Sequence, residues 1–321
     1  MAGYSDNPIK VIAVAGPTAT GKTAVAVQLA KCVGGEVVCA DSMQIYRHLD
    51  IGTAKPTPAE MDGIPHHMYG IIEPSERYSV ARYAAEASEA ARGIAARGKV
   101  PILCGGTGLY ISSFIHGVAF DKTDENPEAR DSIYAEYEQK GAGALIEEIA
   151  AADPVFAGTL HPNNKKRIVR AVELLRSRGY TISKQNELSR SEKNNFLVHL
   201  AIINCSSREI MYNRINTRVD AMLDNGLLDE ARYVFDNKTE FKTAAQAIGY
   251  KEFFGFFEGG KHLGECAEKL KQATRNYAKR QLTWFRREKE AVWYNTADNV
   301  TSGKVAESIE KIYRIWVKEL K

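Results

Sequence analysis

Residues 10–15 form an apolar run of strand length, and the Gly/Thr-rich stretch after it gives way to helical spacing of apolar positions over 22–33. The same sequence of run, polar break and helix recurs. Strand-like segments fall at 36–40, 100–104 and 196–203, and a helix is predicted over 79–97 with Ser79 as N-cap. Short buried runs alternating with helices predict an α/β fold, a parallel sheet flanked by helices. Such sheets bind ligands at the carboxyl ends of their strands. The unusual polar segments 16–23, 41–47 and 105–110 all sit at those ends.

Residues 121–195 break the pattern. They are charged and poor in strand signals, and they predict helices over 126–140, 142–152 and 162–178, the first with Asn126 as cap and Pro127 at the first helical position. We read 1–120 and 196–321 as one core and 121–195 as a small inserted helical domain. After the return strand, helices are expected near 207–225, 227–237, 243–257, 262–288 and 302–320.

Composition narrows the class. The 321 residues are 44% hydrophobic, enough for one large core or two smaller ones. A membrane helix would need about 18 or more consecutive apolar residues, and none exists. The first eight residues do not resemble a secretory signal. Cys32, Cys39, Cys104, Cys205 and Cys266 are scattered without a Cys-x-x-Cys pair, which argues against a zinc site or a disulfide framework and predicts a cytoplasmic location. The net charge of +3 hides an asymmetry. Residues 1–159 carry 13 Lys/Arg against 20 Asp/Glu, and residues 160–321 carry 30 against 20. A basic half joined to an acidic one points to a polyanionic partner, with solvated helix faces as the plain alternative.

Gly16-Pro17-Thr18-Ala19-Thr20-Gly21-Lys22-Thr23 follows the first strand and opens the first helix, the setting a P-loop requires. Its glycines let backbone N–H groups curl round a phosphate, Lys22 adds charge, and the Thr23 hydroxyl can ligate Mg²⁺. The second strand, expected beside the P-loop strand, ends in Asp41, a candidate metal ligand or general base. The 100–104 strand ends in Gly105-Gly-Thr107-Gly-Leu-Tyr110 rather than in a carboxylate, which weakens a simple ATPase reading. His66 and His67 lack a third ligand at useful spacing and read as structural. Arg214 and Arg218 share a helix face with Arg208 nearby and could neutralise a phosphate leaving group. On the helix around 275–287, Arg275, Lys279 and Arg286 form an outward stripe opposite Tyr277, Trp284 and Phe285, while Lys165–Arg170 forms a second basic cluster.

These motifs together resemble the bacterial tRNA dimethylallyltransferases. The resemblance spans nearly the whole chain and runs through 16–23, Asp41–Tyr46, Asp50–Pro56, His66-His67, Tyr78–Tyr83, Gly105–Tyr110, Arg167–Glu173, Ala247–Glu252 and Lys279–Phe285. It implies transfer of a dimethylallyl group from dimethylallyl diphosphate to N6 of the adenosine 3′ to the anticodon, with release of pyrophosphate. It also implies that the P-loop holds the prenyl diphosphate with Mg²⁺ rather than ATP. By this likeness Asp41 serves as base or orienter, and Thr23 and Arg218 contact the diphosphate. The tRNA anticodon stem-loop would meet Asp41, Ser42, Met43, Gln44, Thr107, Arg130, Lys166, Arg167, Arg170, Gln246, Gly249, Tyr250, Lys251, Lys279, Arg280, Gln281, Trp284 and Arg286, on a protein expected to act as a monomer. The target base would be flipped out, since a stacked base cannot present N6 to a buried electrophile. Residue 20 is Thr where the family often has Ser. The rival readings are an enzyme that prenylates free adenine nucleotides, a P-loop nucleotide kinase, and an RNA-binding module without activity.

Overall fold

The computed structural model describes residues 8–117, 127–191, 195–296 and 300–320. Strands β1 (Ile9–Ala15), β2 (Gly35–Cys39), β3 (His66–His67), β4 (Val100–Gly105), β5 (Phe196–Cys205) and β6 (Val292–Thr296) form one sheet in the order β3-β2-β4-β1-β5-β6. Every pairing is parallel. Parallel strands need long crossovers and helices on both faces. These are α1 (Lys22–Val33), α2 (Pro58–Met61), α3 (Val80–Ala96) and α4 (Gly108–His116), then α5 (Pro127–Ala152), α6 (Pro154–Ala157), α7 (Lys165–Arg178) and α8 (Ile182–Ser191), then α9 (Arg208–Asp224), α10 (Leu227–Asp236), α11 (Phe254–Phe257), α12 (Leu263–Phe285) and α13 (Ser302–Glu319).

The described residues fall into two compact units, one within 1–115 and 195–321, the other within 116–194. In the first, Val11, Ala13 and Ala15 face one core layer and Ile12 and Val14 the other, all fully buried. That continuous apolar run is what a strand covered on both faces needs. Ala-rich α3 lays Tyr83, Ala87, Ala91 and Ile94 on the first layer. Helix α13 packs Val305, Ala306, Ile309 and Tyr313 on the second. The second unit is helical around Ile133, Leu145, Ile149, Phe156, Ile168 and Val172. Its long helix α5 is broken at Gly141, where φ is 78° and ψ 170°.

Several expectations change. The helix predicted over 243–257 is two 3₁₀ turns, Ala244–Gln246 and Lys251–Phe253, followed by the single turn of α11. Gly249 causes this: its φ of +113° is barred to a regular helix. Strands β3 and β6, and helices α2, α6 and α8, carry too few residues or too mixed a pattern to announce themselves. Position 108 begins α4 rather than extending a loop. Strand β2 does not adjoin β1, because β4 lies between them. Asn126, the proposed cap, and the boundary at 120–121 lie outside the described residues. His67 forms no metal site. Its Nε2 meets Glu36 at 2.7 Å, and Glu36 also accepts from Arg97 at 2.6 Å. Those two hydrogen bonds hold the Glu36 carboxyl below its usual range although burial pushes it up.

His199 on β5 carries a testable consequence. Its Nε2 is buried without a hydrogen-bond partner, among the rings of Tyr313 and Trp316. Burial lowers its pKa below the ordinary 6.5. The unfolded chain therefore binds a proton that the folded one refuses, so stability falls as pH drops below about 6.5. Denaturant unfolding at pH 7.5 and 5.5 should show the loss, at up to about 1.4 kcal/mol per pH unit from this group. His199→Phe should flatten the slope. An unchanged slope would assign the acid sensitivity elsewhere.

Candidate functional site

The P-loop closes on itself. Thr20 Oγ1 donates to the Pro17 carbonyl at 2.9 Å and Lys22 Nζ to the same oxygen at 2.6 Å. Helix α1 starts at Lys22 behind Gly21, with no side-chain cap and no acidic residue in its first turn. The N–H groups of that turn and the positive end of the helix dipole are therefore left for an external anion. Burial lowers the Lys22 pKa to about 8, with Arg218 pushing the same way and Asp41 and Cys104 opposing. A desolvated ammonium beside a guanidinium is a site short of negative charge.

Asp41 supplies part of it. Its Oδ1 accepts the Met43 N–H at 2.9 Å, an Asx turn that fixes the carboxylate at the end of β2. Burial raises its pKa above the ordinary 3.8, while the Met43 and Gln44 N–H groups and Lys22 oppose the rise. The result is a carboxyl group more basic than one in water. Arg218 on α9 keeps solvent contact while protein hems it in, and that loss of water lowers its pKa. Arg214 departs from expectation: its Nη1 reaches Thr296 Oγ1 at 3.4 Å, at the end of β6.

The Gly105–Gly108 segment at the end of β4 stands between these groups. Thr107 accepts the Ser42 N–H at 2.9 Å through Oγ1, and its own N–H donates to the Ala40 carbonyl at 3.1 Å. Helix α12 presses on the same segment. Gln281 is buried, its Oε1 accepting the Thr18 N–H at 2.9 Å and its Nε2 donating to the Gly106 carbonyl at 2.9 Å. A Cβ on residue 106 would stand 2.2 Å from that nitrogen, so any larger residue there would displace the Gln281 amide. One turn earlier, Tyr277 is partly buried beside Thr107 and Gln281, and burial pushes its hydroxyl pKa up. One turn later, Trp284 Nε1 donates to Ser112 Oγ at 3.0 Å. Gln281 and Trp284 thus tie α12 to the P-loop, the β4 loop and α4. The aromatic positions on this face are visible in the sequence. The hydrogen-bonding partners of Gln281 are not.

Two residues expected to touch RNA are turned inward. Gln281 has both ends of its amide engaged, and Tyr250 is fully buried with its hydroxyl on Glu230 at 2.8 Å. Both become scaffolding residues. Lys279, Arg280, Arg286, Lys166, Arg167, Gln246 and Lys251 are exposed. Met43 is partly exposed, and Gly249 is buried beside Gly52. Arg130 holds Glu173 through two hydrogen bonds of 3.0 Å, and Arg170 meets the same carboxylate at 2.9 Å. Among the described residues no cluster of three acidic, His or Cys side chains could hold a metal by itself. The Thr23 hydroxyl fits a cation brought in by a diphosphate.

Comparison with known proteins agrees with this geometry. The family described as IPP transferase matches residues 44–288, and the one described as isopentenyl transferase matches 9–70. The tRNA dimethylallyltransferase of Bacillus subtilis is 42% identical over 286 residues, 89% of this chain and 90% of that protein. The protein of the same name from Geobacillus thermodenitrificans is 42% identical over 95% of both chains. The fold resembles the tRNA isopentenylpyrophosphate transferase of Staphylococcus epidermidis, with TM-score 0.68, 37% identity and coverage of 95% of this chain and 99% of that one. A eukaryotic dimethylallyltransferase acting on tRNA gives TM-score 0.82 at 28% identity, covering 97% of this chain and 80% of that one.

Proposed function

This chain belongs to the tRNA dimethylallyltransferase family, and on that premise we propose how its residues divide the work of the reaction. It is an enzyme that transfers the dimethylallyl group of dimethylallyl diphosphate to tRNA. The acceptor is N6 of the adenosine 3′ to the anticodon. N6 attacks the first carbon of the allyl group, the carbon–oxygen bond to the diphosphate breaks, and pyrophosphate leaves. Asp41 takes the proton that N6 loses. Lys22, Arg218 and the first-turn N–H groups of α1 receive the charge that develops on the leaving group. Thr23 would hold a Mg²⁺ ion bound to the diphosphate, which would further neutralise that charge.

The carrying observation is that Asp41 and Lys22 follow the strands on either side of β4, whose own loop contains no carboxylate. Many P-loop kinases and ATPases carry an acidic residue at the end of the strand where this chain has Gly105-Gly-Thr107. Free adenine nucleotides as acceptor would leave the exposed basic residues of α12 and of the 116–194 unit without a role. We assign that helical unit, and Lys279, Arg280 and Arg286, to the anticodon stem-loop. We propose that the protein acts as a monomer in the cytoplasm, a location that its scattered free cysteines suit. No described helix is long and apolar enough to cross a membrane.

The test combines protein, Mg²⁺, labelled dimethylallyl diphosphate and either an anticodon stem-loop or adenine nucleotides. Label is expected in RNA alone; label in nucleotides would redirect the assignment. RNA affinity should fall about tenfold or more between 50 and 200 mM salt, as three or more phosphate contacts imply. A flat response would remove the basic surface from the account.

A further inference from the structure

We propose that Glu230 is a positioning residue for prenyl transfer, which touches no substrate and acts on Asp41 through the 50–54 turn and Gln44. The proposal rests on the reading of Asp41 as the base that takes the proton from N6.

Residues 50–54 form a tight turn. The Ala54 N–H closes on the Ile51 carbonyl at 3.0 Å and the Lys55 N–H on that of Asp50 at 2.9 Å. Successive backbone N–H groups that converge on one point form a cradle for an anion. The anion here is a side chain of the same chain. Glu230, in the first turn of α10, accepts the N–H groups of Asp50 at 2.8 Å and Ile51 at 2.9 Å through Oε2, and of Gly52 at 2.8 Å through Oε1. The Tyr250 hydroxyl donates to Oε1 at 2.8 Å, so each carboxylate oxygen holds two bonds.

Packing reinforces the clasp. A Cβ on Gly52 would stand 2.5 Å from the Tyr250 ring, and one on Gly249 would stand 3.1 Å from the Gly52 carbonyl. Glu252 fixes Gly249 by accepting its N–H at 3.0 Å. The turn cannot slide along α10 without breaking these contacts.

The turn hands its position on to Gln44. The Thr53 and Ala54 carbonyls both accept from Gln44 Nε2, each at 2.9 Å. Ala54 presents its carbonyl from φ +52°, a left-handed conformation that a residue with a Cβ adopts only where its surroundings over-determine it. Glu230 supplies much of that determination. Gln44 lies three residues beyond Asp41. Its N–H, with that of Met43, is among the groups that stabilise the Asp41 carboxylate. Hydrogen bonds therefore lead from Glu230 to the base. A general base must meet its proton at hydrogen-bond distance, and a misplacement of about 1 Å can cost about a hundredfold in rate.

A double-mutant cycle tests this, read as single-turnover transfer to an anticodon stem-loop at saturating dimethylallyl diphosphate. An amide offers one acceptor oxygen where a carboxylate offers two, so Glu230→Gln must turn its NH₂ group on at least one of the three N–H groups. It should slow transfer by about a hundredfold. Pyrophosphate affinity should stay within about twofold, since an interaction that only orients the base leaves ground-state binding alone. In an Asp41→Asn background the same substitution should cost less than about threefold, because no base is left to misplace. A merely structural residue would cost the same factor in both backgrounds, and that result would overturn the proposal. So would undiminished transfer by Glu230→Gln. Tyr250→Phe keeps the ring and deletes only the bond to Oε1. It should slow transfer by about fivefold and have no effect beside Asp41→Asn. If Glu230→Gln does not fold, Tyr250→Phe carries the cycle, and equal losses in both backgrounds or no loss at all would overturn the proposal. Failure of wild type to label the stem-loop, or full activity of Asp41→Asn, would instead overturn the assignment of substrate or of base.

Discussion

Asp41→Asn is expected to slow single-turnover prenyl transfer by about 10²–10⁴-fold, the range that a positioned general base contributes. RNA affinity should stay within about twofold. Asn keeps the size of Asp and can still accept the Met43 N–H that fixes the side chain. It loses the negative charge that takes the proton from N6. The substitution therefore separates proton removal from shape. The acid limb of the wild-type rate profile should lie above the ordinary carboxylate value of 3.8, because burial raises the Asp41 pKa. With a raised folded value, the active carboxylate form is lost as pH falls through that value, and the Asn variant has no such limb. A variant with undiminished turnover would remove Asp41 from the chemistry.

Lys22→Met should have opposite effects on binding and on stability. Diphosphate affinity should fall about a hundredfold or more, since a charge-assisted contact in a desolvated site contributes about 3 kcal/mol. The ligand-free protein should meanwhile become more stable at pH 7. Burial holds the Lys22 pKa near 8, against 10.5 for a free side chain, so the folded state carries this charge at a cost. Relief of on the order of 2 kcal/mol is expected, after allowance for the partial solvent contact of the residue. Calorimetry with pyrophosphate and thermal unfolding without it measure the two effects. A variant that lost both affinity and stability would show Lys22 to be a structural residue.

How much of this was legible in the sequence differs by element. β1, β2, β4 and β5 announce themselves, because a strand buried on both faces must be apolar throughout. The P-loop is legible because its geometry demands particular residues at fixed spacing. β3 was unreadable: two histidines carry no period, and only Glu36 gives His67 a reason to be there. The segment 243–257 misled because its apolar spacing suits a helix while Gly249 interrupts it. Asp41, Lys22 and Arg218 stand out as candidates from residue type and position. Gln281, Tyr250 and Glu230 could not be assigned correctly, since hydrogen bonds spanning 20 to 263 residues decide their roles. The placement of β4 between β2 and β1 was also beyond reach, because strand order is a property of the crossovers.

The amide of Gln281 grips Thr18 with one end and Gly106 with the other, on the same helix that exposes Lys279, Arg280 and Arg286. A helix moves as a rod, and each residue advances it about 1.5 Å. If α12 shifted by even one such step, the diphosphate cradle and the RNA-facing cations would shift with it. On the proposed reading, the loop that would hold the diphosphate and the cations that would meet the RNA are thus gauged by a single ruler.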